Sequence, residues 1–192
     1  MLSGVARAAE GGLMNEKPDT YPVASFAGGC FWCVEYAFRE MPGVVYTRVG
    51  YSGGGIDRPN YGDVSTGKTG HAEAVEVYYD PEKTDYETLV MAFLKDAHDP
   101  TQKNRQGVDV GPQYRSVIFY HDDEQKRIAQ EAITRLTAEK YYKKPIVTEI
   151  LPARTFWKAE DYHQQYYEKY ETRTGQPHIR VLLKERKKAE KQ

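Results

Sequence analysis

An α+β (α/β sandwich) fold, built on a ferredoxin-like split βαβ core with additions at its C-terminal end, is the fold class the sequence predicts. Three observations point to it. β-leaning and amphipathic helical runs follow one another as strand, helix, strand, strand, helix, strand, then helix and strand. Turn formers punctuate these runs at Gly28-Gly29, Pro42-Gly43, Asp80-Pro81 and Asp99-Pro100. The chain has 192 residues, 40% of them hydrophobic, which suits one domain with a sizeable core, and it shows no internal repeat, low-complexity tract or linker.

The first strand is the apolar run Val23-Ala24-Ser25-Phe26-Ala27. After the glycine pair, Phe31, Val34, Ala37, Phe38 and Met41 recur near helical spacing, so a helix opens close to residue 30 and stops at Pro42-Gly43. Residues 44–51 are β-rich. Ser52 to Gly70 form a long loop with six glycines and one aromatic, Tyr61; loops of that length in compact domains are usually functional or disordered. A plug for the loop is the plainer role for that tyrosine.

Residues 71–79 alternate as a strand, with Glu73, Val75, Val77 and Tyr79 in phase. Glu73 thus shares a face with valines, where burial disfavours the charged carboxylate and keeps a proton available near neutral pH. At the wet start of a strand it would instead be a plain surface acid, and periodicity does not choose. Thr84-Asp85-Tyr86-Glu87 reads as a capping box before Leu89, Val90, Phe93 and Leu94. A polar loop then runs to Pro112-Gln113-Tyr114-Arg115, offering Asp109 and Tyr114 as a second polar cluster. Residues 117–120 form a strand, Asp122-Asp123 start a helix through Leu136, and residues 146–150 form another strand. A tyrosine-rich segment, 156–170, and a short helix around 179–183 complete the chain. In this order the Cys30 turn, the glycine loop and the loop before Tyr114 are placed to meet over one sheet end.

Both cysteines lie in Gly28-Gly29-Cys30-Phe31-Trp32-Cys33. At a helix mouth, unpaired N–H groups and the positive end of the helix dipole favour a thiolate on Cys30, the nucleophilic form of cysteine. Redox or nucleophilic chemistry competes with three other readings of the pair. Inert buried cysteine is one. Half of a zinc site is another, although the five histidines show no His-x₃₋₅-His pair to complete four ligands. A thioredoxin-like dithiol is the third.

Net charge is −1, from 27 basic and 28 acidic residues, which gives no support to a nucleic-acid partner; the basic run 184–188 reads as a solvated helical tail. No apolar segment approaches the roughly 20 residues of a membrane span, and residues 1–20 lack the apolar core of a secretory signal. They are expected to be a flexible leader before a single domain over 21–192. Two cysteines three apart cannot staple a fold, which fits a reducing cytoplasm. A monomer without cofactor or metal is expected.

Five separated segments, in order, resemble the peptide methionine sulfoxide reductases of the A type: Gly28 to Trp32, Gly70 to Val75, His98 to Gln102, Asp109 to Ser116 and Ala159 to Gln164. The resemblance covers about residues 21 to 170. It implies that the Cys30 thiolate attacks the sulfur of an S-epimer methionine sulfoxide, free or in proteins, as a repair of oxidative damage. It further implies that Glu73 protonates the oxygen, that Tyr61 and Tyr114 hold it, and that Phe31 and Trp32 receive the S-methyl group, with Asp109 ordering the polar side. Sulfenic acid on Cys30 would follow. Relatives often carry resolving cysteines near the C-terminus, and this chain has none after Cys33. Cys33 is therefore expected to close a disulfide that thioredoxin reduces, while its other reading is a packing residue beside an external thiol. A general thiol-disulfide oxidoreductase is the rival enzyme class, and a methionine-binding or redox-sensing module the non-enzymatic one.

Overall fold

The computed structural model describes residues 13–14 and 16–182. Its element order carries the expected core: β1 (Val23–Gly28), α1 (Phe31–Arg39), β2 (Val44–Ser52), β3 (Ala72–Tyr79), α3 (Tyr86–Ala92) and β6 (Ser116–Tyr120), with a short α2 (Tyr61–Ser65) between β2 and β3. β4 (Arg105–Gln106) and β5 (Asp109–Val110) pair as a separate small hairpin. α4 (Asp123–Ala138), β7 (Glu149–Pro152), β8 (Trp157–Lys158) and α5 (Tyr166–Thr174) follow. The main sheet is ordered β7-β6-β1-β3-β2-β8. β1, β3 and β2 pair antiparallel, β6 joins β1 antiparallel, and β7 joins β6 in parallel. The four central strands have the split βαβ arrangement, and the fold is α+β.

One face of this sheet carries Phe26, Val49, Tyr51, Val75, Val77 and Ile118, which pack under Phe31, Val34 and Phe38 of α1, Leu89 and Val90 of α3, and Leu136 of α4. Phe26 stacks on Phe38 and Phe93 with ring centroids 5.0 and 4.8 Å apart, each pair adding about 0.5–1.5 kcal/mol beyond its burial. The opposite face is smaller, built on Ala27, Ala72, Ala74, Val117 and Phe119. Every residue of β3 is buried, because helices roof one face and residues from the β7 and β8 region cover the other.

Several boundaries differ from the sequence reading. The glycine-rich loop holds α2, whose N-cap Asn60 accepts from Asp63 N while the Asp63 side chain accepts from Asn60 N, a reciprocal box. The cap of α3 is Asp85, accepting from Thr88 N at 2.7 Å, while Thr84 belongs to the preceding turn. The predicted strand at 146–150 is shifted to Glu149–Pro152, since Val147 N donates to Pro100 O and ties that stretch to a loop. Residues 1–12 and 15 of the expected leader lie outside the described residues, as do residue 183 and the basic run 184–188. Leu13 packs against the main core, Met14 N donates to Val45 O and Pro18 is buried, so packing begins before residue 21. Among the described residues no helix is long and apolar enough to cross a membrane.

Candidate active site

The turn between β1 and α1 is shaped by its glycines. Gly29 has φ +94°, a left-handed conformation that a side chain disfavours, and a Cβ there would lie 2.6 Å from Gln106. A Cβ on Gly28 would meet His98 and Phe93 at 2.8 Å. The backbone can therefore turn sharply under the β4-β5 hairpin and deliver Cys30 as the N-cap of α1. Cys33 N donates to Cys30 O at 3.0 Å, and both sulfurs are free and half-buried.

Glu73 is 3% exposed and lies on the sheet face roofed by α1, in phase with Val75 and Val77. Its Oε2 accepts the backbone N–H of Phe31 at 3.0 Å, so the carboxyl sits at the N-terminus of α1, next to Cys30. Burial pushes its pKa up to about 8 despite that hydrogen bond, and nearby Asp109 and Cys33 push the same way. At neutral pH Glu73 is mostly protonated.

The two cysteines titrate as a pair. Cys30 is raised well above the ordinary thiol range, first by its hydrogen bond with Cys33, then by burial and the neighbouring charges, against a backbone hydrogen bond from Trp32. Cys33 is lowered to about 6 by its bond with Cys30, by the Tyr167 hydroxyl, and by the Arg180 guanidinium, against burial. The pair thus holds one negative charge at neutral pH, shared between the two sulfurs. The helix mouth favours the charge on Cys30, and Tyr167 and Arg180 favour it on Cys33.

Tyr61 opens α2 and Tyr114 closes a 3₁₀ turn over Pro112–Tyr114, both half-buried. Gln113 Nε2 donates to Ser65 O, tying the two segments together. Burial is the first cause that raises both phenols and Glu73 the second, so both tyrosines stand near the carboxyl and keep their protons. The Cys30 turn, the glycine loop and the loop before Tyr114 do meet at one place. Asp109 stands at the edge of this group in a bidentate pair with Arg180, both contacts at 3.0 Å.

Phe31 and Trp32 divide. Phe31 is 1% exposed and packs behind the site against Tyr51 and His163, while Trp32 is half-buried. The indole of Trp32 donates to His163 Nδ1 at 3.1 Å and stacks on Tyr166 at 3.8 Å and 8°. His163 therefore carries its proton on Nε2, which is buried without a hydrogen-bond partner.

Several supporting residues escaped the sequence reading. Glu160 accepts from Tyr51 Oη and from Tyr61 N, both at 2.9 Å, and so seats α2. Glu35, buried and raised to about 7 by desolvation, accepts from Thr47 Oγ1 and from Gln165 N at 2.9 Å, anchoring the start of α5. Glu160 and His163 lie inside a quoted motif and were findable there; Glu35, Tyr167 and Arg180 had no local signal. A cavity of about 660 Å³ opens onto Cys30 and Cys33, lined also by Asp109, Arg180 and residues of the polar loop.

Chemically, the site pairs a dithiol monoanion with a protonated carboxyl and two phenol donors. That set suits attack by sulfur on a centre whose oxygen must be protonated to leave. The chain matches the family model described as "Peptide methionine sulfoxide reductase" over residues 22–192. It is 56% identical over 146 residues to a peptide methionine sulfoxide reductase MsrA of Acidobacterium capsulatum, covering 76% of this chain and 93% of that protein. To the MsrA of Methanosarcina mazei it is 59% identical over 146 residues, covering 76% and 69%. Among solved structures, methionine sulfoxide reductase A of Corynebacterium diphtheriae superposes with a TM-score of 0.70 at 40% identity, over 84% of this chain and 80% of that one. Reduced Mxr1 of Saccharomyces cerevisiae gives 0.75 at 30% identity, over 85% and 92%.

Proposed function

Because the chain belongs to the peptide methionine sulfoxide reductase family, we propose that it reduces the S epimer of methionine sulfoxide, free or in proteins, through Cys30 and Glu73. The observation that carries this reading is the hydrogen bond from Phe31 N to Glu73, which ties a protonated acid to the turn that presents Cys30. As Cys30 attacks the sulfoxide sulfur, its proton passes to the Cys33 anion along their hydrogen bond. Glu73 gives its proton to the oxygen, with the Tyr61 and Tyr114 hydroxyls as donors. The methionine sulfur–oxygen bond breaks and the released hydroxide bonds to the Cys30 sulfur. The transient Cys30–methionine sulfur bond returns its electron pair to the methionine sulfur, so methionine leaves and Cys30 holds sulfenic acid. Trp32 is the aromatic surface for the S-methyl group, backed by the buried Phe31, and Asp109 with Arg180 orders the polar side.

Cys33 then loses its proton again and attacks the sulfenic sulfur, closing a Cys30–Cys33 disulfide and expelling water after protonation of the leaving hydroxide. Two residues three apart on one helical turn face the same side, so closure asks for little movement. No other cysteine is present in the chain. A dithiol protein of the thioredoxin kind is the reductant, and a pair that must be kept reduced suits the cytoplasm.

The test mixes pure protein with dithiothreitol and each sulfoxide epimer in turn. Conversion of the S epimer alone supports the reading. Reduction of insulin disulfides with no sulfoxide consumed would make the protein a general thiol-disulfide oxidoreductase instead.

A further inference from the structure

We propose that Tyr167 and Arg180 are positioning residues that form an anion seat for the sulfur of Cys33, readying it to resolve the sulfenic acid. The inference rests on the reading of Cys33 as the resolving cysteine.

The seat is built from three segments far apart in sequence. The Tyr167 hydroxyl lies 3.0 Å from Cys33 Sγ, and this residue is 4% exposed. Its ring is fixed by stacking on His178 at 4.9 Å and by edge contacts with Trp32 and Tyr36 at 6.5 and 5.8 Å. Held so, the hydroxyl has one orientation toward the sulfur, and burial keeps its proton on. Arg180, on the helical turn from residue 179, lines the cavity that opens onto both sulfurs, and its charge lowers the Cys33 thiol. Its guanidinium is locked in the bidentate pair with Asp109, and its backbone N donates to His178 Nδ1 at 3.2 Å. Glu35, two residues beyond Cys33, accepts the backbone N–H of Gln165 and so fixes where α5 begins. A hydroxyl in contact with the sulfur and a guanidinium on the cavity beside it make an arrangement for a thiolate.

Other groups facing Cys33 do not supply this. Cys30 shares its proton with it, and Glu73 beyond is neutral. In the same cavity, His98 is kept neutral by burial, Asp99 is engaged with Thr101 and Gln102, and Lys95 lies over the Tyr141 ring. Asp96 adds a negative charge that opposes the seat.

Resolution needs the seat more than the first step does. After methionine leaves, Cys33 holds the proton it received from Cys30. Only the anion attacks the sulfenic sulfur, so the proton must be lost to solvent and the charge must stay on Cys33.

The experiment follows a single turnover in the absence of reductant, from pH 5 to 9, on wild type, Tyr167→Phe, Arg180→Lys and Arg180→Met. Methionine release and disulfide closure are measured separately, and sulfenic acid is trapped with a 1,3-dicarbonyl probe. With Tyr167→Phe and Arg180→Met, closure at pH 7 should slow about tenfold relative to methionine release, with its midpoint moved to higher pH and more trapped sulfenic acid. Arg180→Lys should recover most of the loss. Closure with unchanged rate and pH midpoint in both variants would overturn the inference while leaving Cys33 as resolver. Cys33→Ser is run beside them: if it still closes a reducible intermediate and cycles, the resolving role itself fails.

Discussion

Glu73 and Phe31 are joined by a 3.0 Å hydrogen bond from the backbone N–H of one to the side chain of the other, across 42 residues of sequence. That contact spends the carboxyl's first oxygen on the mouth of α1 and leaves the second to carry the proton. It also explains how a buried acid stays beside the cysteines, since the strand and the helix are locked at this point.

Activity should follow a bell in pH. The lower limb reports ionisation of the cysteine pair at about 6 and the upper limb loss of the Glu73 proton at about 8. Glu73→Gln should remove the upper limb and lower kcat roughly 10²- to 10⁴-fold. Initial rates of sulfoxide reduction across pH 5 to 10 check both statements.

Replacing Cys33 with Ser should leave one methionine formed per enzyme and end thioredoxin-driven cycling. Mass spectrometry of the variant after one turnover should find an added oxygen on Cys30 rather than a disulfide. Undiminished cycling would remove Cys33 from the mechanism.

Trp32 offers its ring as substrate wall and its N–H to His163. Trp32→Phe keeps a ring but loses the bond and some contact area, and should raise KM for the sulfoxide roughly two- to tenfold with a smaller change in kcat. Equal loss in kcat and kcat/KM would mean the indole acts in the transition state instead.

Stability carries its own pH signature. Burial raises Glu35 to about 7 in the fold, against an ordinary carboxyl near 4.3, so the folded chain binds this proton more tightly. Its favourable contribution is whole below about pH 4 and is lost as pH rises to about 7, at up to about 1.4 kcal/mol per pH unit. Glu35→Gln should flatten that part of the stability curve, leaving the slope due to Glu73, which ends near 8. Urea midpoints at several pH values between 4.5 and 8 measure it.

The strand, glycine turn and helix around Cys30 were legible because apolar spacing and the two glycines agree locally. Glu73 was legible as a residue in phase with valines, but its burial was not: β3 is covered on both faces, so alternation there carries no contrast between inside and outside. α2 was hidden by its glycines, although the Asn60 and Asp63 pair was a signal for it. The seat around Cys33 was not legible. Glu35 meets Gln165 across 130 residues and Cys33 meets Tyr167 across 134, and no local pattern sets contacts of that range.

The chain has two tryptophans, and one of them, Trp32, lies flat against Tyr166 on the element that bears Tyr167. Its fluorescence depends on whether that ring is in place. An unlabelled sample, excited in the near ultraviolet, therefore carries a native optical gauge of how firmly the C-terminal segment sits on α1 while the cysteines pass between oxidation states.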